Sequence, residues 1–140
     1  MPEQSELTGP DVMRQFVPGS PFVGHLGIEL VEVGDDRAVL RLPFRPELAT
    51  MGDLVHGGAI ASLVDTAAMA AAWATPELPA ELKGTTVGLS LDFLRAGRGA
   101  ELRAHARVLR RGGSLCFCDV EVADPDGALV AKAQVTYKLG

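Results

Sequence analysis

His56-Gly57-Gly58-Ala59-Ile60-Ala61-Ser62-Leu63-Val64-Asp65, running on as Thr66-Ala67-Ala68-Met69-Ala70-Ala71-Ala72-Trp73, decides how this chain folds. The run is alanine and aliphatic residues behind two glycines, with one carboxylate near its middle. Thr75-Pro76 stops it, because a proline restricts the residue before it. The pattern predicts a helix over residues 57 to 74 that is apolar on every face, hence buried rather than amphipathic. A lone acid in such a helix is costly unless it is paired or put to use. The two glycines offer bare backbone N–H groups at the positive end of the helix, which suits an anion or an oxygen gaining negative charge. Gly57 and Asp65 stand eight positions apart, roughly 12 Å along a helix axis at about 1.5 Å per residue. One carbonyl cannot reach both groups on the same helix. If both act on one substrate, the second comes from another copy of the chain. The spacing therefore predicts a homodimer with shared sites, each using Gly57 of one subunit and Asp65 of the other.

On either side of this helix the pattern changes to strands. Leu26 to Val33 and Arg37 to Phe44 read as a hairpin across Gly34-Asp35-Asp36. Arg45 to Val55 reads as a loop. After the helix come four strand-like runs, Thr86 to Arg95, Glu101 to Arg110, Ser114 to Ala123 and Ala128 to Tyr137, separated by glycine- and aspartate-rich turns. Glu101, Arg103, His105 and Arg107 alternate with Leu102, Ala104, Ala106 and Val108, as an antiparallel sheet with one wet face expects. The first nine residues read as unstructured, and Asp11 to Val17 as a short helix with Thr8 or Asp11 near its cap. The expected organisation is a tail and short helix over 1–21, then one domain over 22–140. An α+β fold uses every element: an antiparallel sheet of about six strands wrapped around one long buried helix, whose small alanines let the sheet approach.

Length and composition agree. The chain has 140 residues, 47% of them hydrophobic, and a formal net charge of -5. That suits one domain with a proper core. The negative charge gives no basic footprint, so nucleic acid is not an expected partner. The alanine run is too weakly hydrophobic for a membrane span and carries Asp65, so no membrane partner is expected. An acidic start, Met1-Pro2-Glu3-Gln4-Ser5-Glu6, differs from a signal peptide, and the cytoplasm is the expected location. Cys116 and Cys118 would share a strand face too far apart for an easy disulfide. Too few ligands lie nearby for a metal site, so reduced core thiols are expected.

The element order, with His56-Gly57-Gly58 opening the helix and Leu63 and Asp65 inside it, resembles the hot-dog fold thioesterases. The nearest branch is the phenylacetate-degradation (PaaI-like) acyl-CoA thioesterases. Supporting pieces are His25-Leu26-Gly27-Ile28-Glu29, Leu91-Asp92-Phe93-Leu94-Arg95 and Val130-Ala131-Lys132-Ala133. The resemblance covers about residues 22 to 139. It implies that Asp65 attacks the thioester or activates water. The Gly57 N–H, helped by Gly58, would polarise the carbonyl, and His56 would set the loop and bond near the carbonyl or sulfur. It also implies a hydroxyl early in the strand after the helix to orient water; Thr86 matches best, with Thr85 the fallback. A dimer with a continuous sheet, often paired into a tetramer, is implied as well. Many relatives carry asparagine six residues before the histidine and glycine three before it; here Thr50 and Asp53 stand there, and Thr50 becomes the candidate on the leaving-group side.

Thioester hydrolysis builds negative charge on the carbonyl oxygen, and losing one preorganised N–H donor to it typically costs about 10²–10³ in rate. A carboxylate serves as general base or forms a transient anhydride. No serine lies on a nucleophile elbow. Blander readings stand beside these. Asp65 is satisfied by Ser62 or Thr66, the glycines serve close packing or helix entry, and His56 is only a cap. His25 and His105 are structural. Arg95, Arg110 and Arg111 either meet coenzyme A phosphates or are solvated charges at strand ends. Met69 packs or lines the acyl pocket. The expected activity is hydrolysis of an acyl- or aryl-CoA to free acid and coenzyme A, with no cofactor beyond the coenzyme A of the substrate. Two alternatives remain: an acyl-CoA sensor without turnover, and a hydratase or dehydratase. The latter branch shows a differently spaced Asp/His pair, and this helix has no internal histidine.

Overall fold

The computed structural model describes residues 7–140. The reading of residues 1 to 6 as unstructured lies outside the described residues. From Leu7 onward the chain is more ordered than expected. Thr8 caps helix α1 (Gly9–Gly19), and Thr8 and Asp11 bond reciprocally as a capping box. The Thr8 hydroxyl and backbone N–H donate to Asp11 Oδ2 at 2.9 and 3.0 Å. Pro10 lies in the first turn, where a missing N–H costs no helical bond. Gly9 donates its N–H to the Thr75 carbonyl at 2.8 Å. A Cβ at Gly9 would collide with the backbone of Trp73 and Thr75, so only glycine lets α1 start there. Met13 and Val17 are buried in the common core.

A second short helix, α2 (Pro21–Leu26), replaces the start of the expected strand. Pro21 opens it, and Gly27, at φ +79°, closes it in the left-handed region that glycine occupies without strain. The strand β1 therefore begins at Glu29, and His25 lies in the last turn of α2. Strand β2 (Arg37–Leu42) ends before Pro43. The expected loop from Arg45 to Val55 holds a 3₁₀ turn, Pro46–Leu48, and a small hairpin of β3 (Ala49–Met51) and β4 (Leu54–Val55). Helix α3 spans Gly57–Trp73. Strands β5 (Gly84–Phe93), β6 (Leu102–Arg111), β7 (Leu115–Ala123) and β8 (Leu129–Leu139) follow.

The large sheet has six strands in the order β1-β2-β6-β7-β8-β5, with every neighbouring pair antiparallel. Helix α3 meets all six strands. Leu63, Val64, Ala67, Ala68 and Ala71 are fully buried on it. Alternation along β7 aims Cys116, Cys118, Val120 and Val122 at the helix, while Leu115, Phe117 and Glu121 face outward. Alanine positions on α3 let the sheet curl close, and β-branched side chains fill the remaining space. The α+β wrap expected from the sequence is the one observed. The outer sheet face carries ion pairs, among them Lys132 with Asp119 at 2.7 Å and with Glu121 at 3.0 Å.

One expectation needs correction. Helix α3 is not enclosed on every side. Gly58 is exposed, and Ser62, Asp65 and Met69 are half-buried. These positions are three or four residues apart and form one stripe along the helix. Beside them β5 ends the sheet, with Val87 and Phe93 more than half exposed. Both open surfaces belong to the elements that carry the candidate site. No helix among the described residues is long and apolar enough to cross a membrane.

Candidate active site

His56 is the N-cap of α3, and its Nδ1 accepts the Gly58 N–H at 2.8 Å. An imidazole that accepts at Nδ1 is neutral and carries its proton on Nε2, pointing a donor away from the cap. The Gly58 N–H is thereby taken, which corrects its expected place beside Gly57 as an open donor. The Gly57 N–H meets no acceptor among the described residues. Phe93 of β5 covers Gly57: a Cβ there would stand 3.2 Å from the Phe93 ring. The open end of the helix dipole is therefore one amide beside an aromatic wall.

Asp65 sits two turns further along α3. Thr86 Oγ1 donates to Asp65 Oδ1 at 2.6 Å, a short charge-assisted bond. Of the two threonines weighed, only Thr86 faces the helix; Thr85, its neighbour on the strand, is exposed. The hydroxyls of Ser62 and Thr66 do not reach the acid. Each bonds the carbonyl one turn back, Ser62 to Gly58 at 2.9 Å and Thr66 to Ser62 at 2.7 Å. One carboxylate oxygen is held, and Oδ2 meets no donor among the described residues.

The other sequence candidates divide into three groups. Thr50 and Arg95 line a cleft of about 290 Å³ with Gly57, Leu54 and Phe93. Met69 lies one turn beyond Asp65 and lines a separate cleft with Trp73 and Tyr137. Arg110 and Arg111 lie elsewhere. Arg111 is bound within the fold: Nη2 donates to Asp36 Oδ1 at 2.7 Å and Nη1 to the Ala72 carbonyl at 2.9 Å. It tethers the far end of α3, roughly 22 Å along the helix from Gly57 of the same chain at about 1.5 Å per residue. Arg110 is exposed on the opposite face of β6. Asp53 pairs with Arg98 at 3.1 Å and takes no part in the glycine cleft. Sequence reasoning missed Phe93 as the cover of Gly57 and Tyr137 as a neighbour of the acid. Phe93 stands in the Leu91–Arg95 stretch that supports the resemblance, without a role read from it, and Tyr137 lies in no motif; strand register brings both in.

The thioesterase superfamily profile matches residues 52–131, a stretch holding α3, Asp65, Thr86 and most of the sheet. The chain belongs to the thioesterase superfamily. Among members of the superfamily it is similar to the medium/long-chain acyl-CoA thioesterase YigI of Salmonella typhimurium, with 32% identity over 92% of each chain. Conserved protein PA5202 from Pseudomonas aeruginosa has a similar solved structure, with a TM-score of 0.79, 31% identity, and coverage of 86% of this chain and 94% of that one. The PaaI protein of E. coli, from the phenylacetic acid degradation operon, superposes with a TM-score of 0.78 over 92% of this chain and 88% of its own. At 24% identity, that likeness establishes the shared hot-dog fold.

Proposed function

We propose that this thioesterase hydrolyses acyl-CoA thioesters, adding water to the acyl carbonyl and releasing a free carboxylic acid and coenzyme A. The supporting observation is the placement of two groups on α3, an amide at its start and an acid near its middle. Among the described residues, Asp65 is held by Thr86 on one oxygen and meets no donor on the other, and the Gly57 amide on the same helix meets no acceptor. The carboxylate supplies the base or nucleophile. A free amide at a helix N-terminus stabilises the oxyanion as the carbonyl is attacked. Similarity to a relative named for medium- and long-chain acyl-CoA supports an acyl chain as the substrate.

These two groups cannot meet one carbonyl within a chain. The working unit is then a homodimer, in which Asp65 faces Gly57 of the partner subunit, with pairing into a dimer of dimers open to it. Support comes from the open stripe on α3 and from β5, a sheet edge with exposed apolar side chains and unpaired backbone groups. His56 Nε2–H would reach the carbonyl or sulfur side, with Thr50 and Arg95, which line the cleft at Gly57, toward the leaving group. The reaction requires no cofactor beyond the coenzyme A of the substrate. Two unpaired, buried thiols suit a reducing compartment, supporting the cytoplasm as its place.

The test is release of free thiol from a panel of acyl-CoAs by wild type and Asp65→Asn. The expected result is turnover by wild type and a loss of about 10²-fold or more in the variant. Wild type that binds acyl-CoA without turnover would instead make the chain a sensor.

A further inference from the structure

The cleft at Gly57 has two walls from distant parts of the chain. Thr50 and Leu54 of the β3–β4 hairpin form one; Phe93 and Arg95, at and just past the end of β5, form the other. The hairpin has three residues in one strand and two in the other, and a ribbon that short is marginal unless something holds it. Two sets of contacts do. At its base the His56 N–H donates to the Leu48 carbonyl at 2.8 Å. Nearer its tip, the chain after β5 pairs with the other side of β4. The Val55 N–H donates to the Gly97 carbonyl and the Gly99 N–H to the Asp53 carbonyl, both at 2.9 Å. Leu54 bridges Arg98 in antiparallel register. Side chains close the same seam, with Arg98 Nη1 donating to Asp53 Oδ1 at 3.1 Å. Gly99, at φ +57°, turns the chain there, and a Cβ on it would stand 3.2 Å from Asp53 Oδ2. Asp53 and Arg98 are both exposed, and neither lines the cleft.

We propose, resting on the thioesterase reading, that Asp53 and Arg98 are positioning residues. Their ion pair clamps the hairpin to the loop after β5 and fixes the gap between the two walls before substrate enters. An isolated exposed ion pair is worth little, because ordering two long side chains offsets the attraction. Here the backbone bonds already align the two segments, which lowers that cost, and the pair acts on a ribbon too short to be rigid by itself. Thr50 stands on that ribbon three residues before Asp53, so the clamp sets where its side chain lies relative to the Gly57 amide. A wall ordered in advance favours binding, since substrate does not then meet the ordering cost. Loosening the clamp moves this wall and leaves Asp65, Thr86 and Gly57 in place. The loss falls on substrate binding and not on the chemical step.

The experiment compares wild type, Asp53→Asn, Arg98→Gln and the charge-reversed pair Asp53→Arg with Arg98→Asp. One readout is hydrogen exchange at the Val55 and Gly99 amides, with the Leu63 and Val64 amides of α3 as the internal control. The other is KM and kcat for decanoyl-CoA. Both single variants should exchange about two- to fivefold faster at Val55 and Gly99 alone, and raise KM about two- to fivefold at an unchanged kcat, the worth of one exposed ion pair. The charge-reversed pair should return toward wild type in both readouts. A KM that falls in Asp53→Asn and rises in Arg98→Gln would make Arg98 a direct contact of the anionic substrate and overturn the clamp. Unchanged amides overturn it too, as do faster amides with an unchanged KM, and each of these results leaves the thioesterase reading standing. A wild type without turnover sinks the thioesterase reading; a rise of the same sign in both single variants, read then in the Kd of decanoyl-CoA, still supports the clamp.

Discussion

Asp65 and Thr86 are 21 residues apart in the chain, yet their side chains bond at 2.6 Å. The contact orients the acid and leaves Oδ2 with no donor among the described residues. Thr86→Val removes the hydroxyl from a half-buried carboxylate. The expected outcome is a fall in kcat of about tenfold or more, with Thr86→Ser recovering most of it, measured by thiol release. His56 works more than two turns before the acid, as the N-cap of α3. His56→Ala frees the Gly58 N–H and removes the cap, with an expected loss of about 0.5–2 kcal/mol in stability by denaturant unfolding. Of the site residues, Asp65 and Gly57 were legible because a lone acid and a glycine pair break an otherwise uniform apolar run. Thr86 came only through resemblance, since nothing local tells Thr85 from Thr86. The β5 register makes that choice.

At the scale of elements, β7 packs two thiols against α3. Burial pushes both Cys116 and Cys118 up, Cys118 to about 12, and burial also raises Tyr137 on β8. In each case the folded state favours the neutral form. Their contribution to stability is fully present below the unfolded values, about 8.5 for thiols and about 10 for tyrosine. It is lost as pH rises through the folded values, because the unfolded chain releases protons first. Stability should therefore decline from about pH 9 toward 12, read as a falling denaturant midpoint. Both thiols should also resist a disulfide reagent at pH 8 until the protein is unfolded. The alternation that put both cysteines on one strand face was visible in the sequence. Helix α2 was not, because Pro21 read as a break and Gly27 fell inside the strand expected over Leu26 to Val33. The small β3–β4 hairpin was hidden for a similar reason: two or three residues per strand carry no measurable period.

For the whole molecule, the exposed stripe on α3 and the bare edge of β5 are the unfinished part of the fold. A two-fold dimer would cover both and bring Asp65 to Gly57 of the partner subunit. Mixed dimers test this directly. Asp65→Asn and Gly57→Val chains, each inactive alone, should form one intact site per mixed dimer. Co-folding equal amounts should then recover roughly a quarter of wild-type activity, given random pairing about a two-fold axis. No recovery, with mixed dimers demonstrated by mass, would place both groups' functions within one chain.

The residues alone were enough for the long apolar helix, the antiparallel strands around it and the acid at its centre. Each of these is written in a local period or in a break within one. Only tertiary packing turned Thr86 to the acid, bound Arg111 to Asp36 and the end of α3, set α1 against the core, and joined Trp73 to Tyr137. Those pairings depend on strand register and helix docking. Both are settled by the competition of all the apolar faces for one core, and no short stretch of sequence records the outcome.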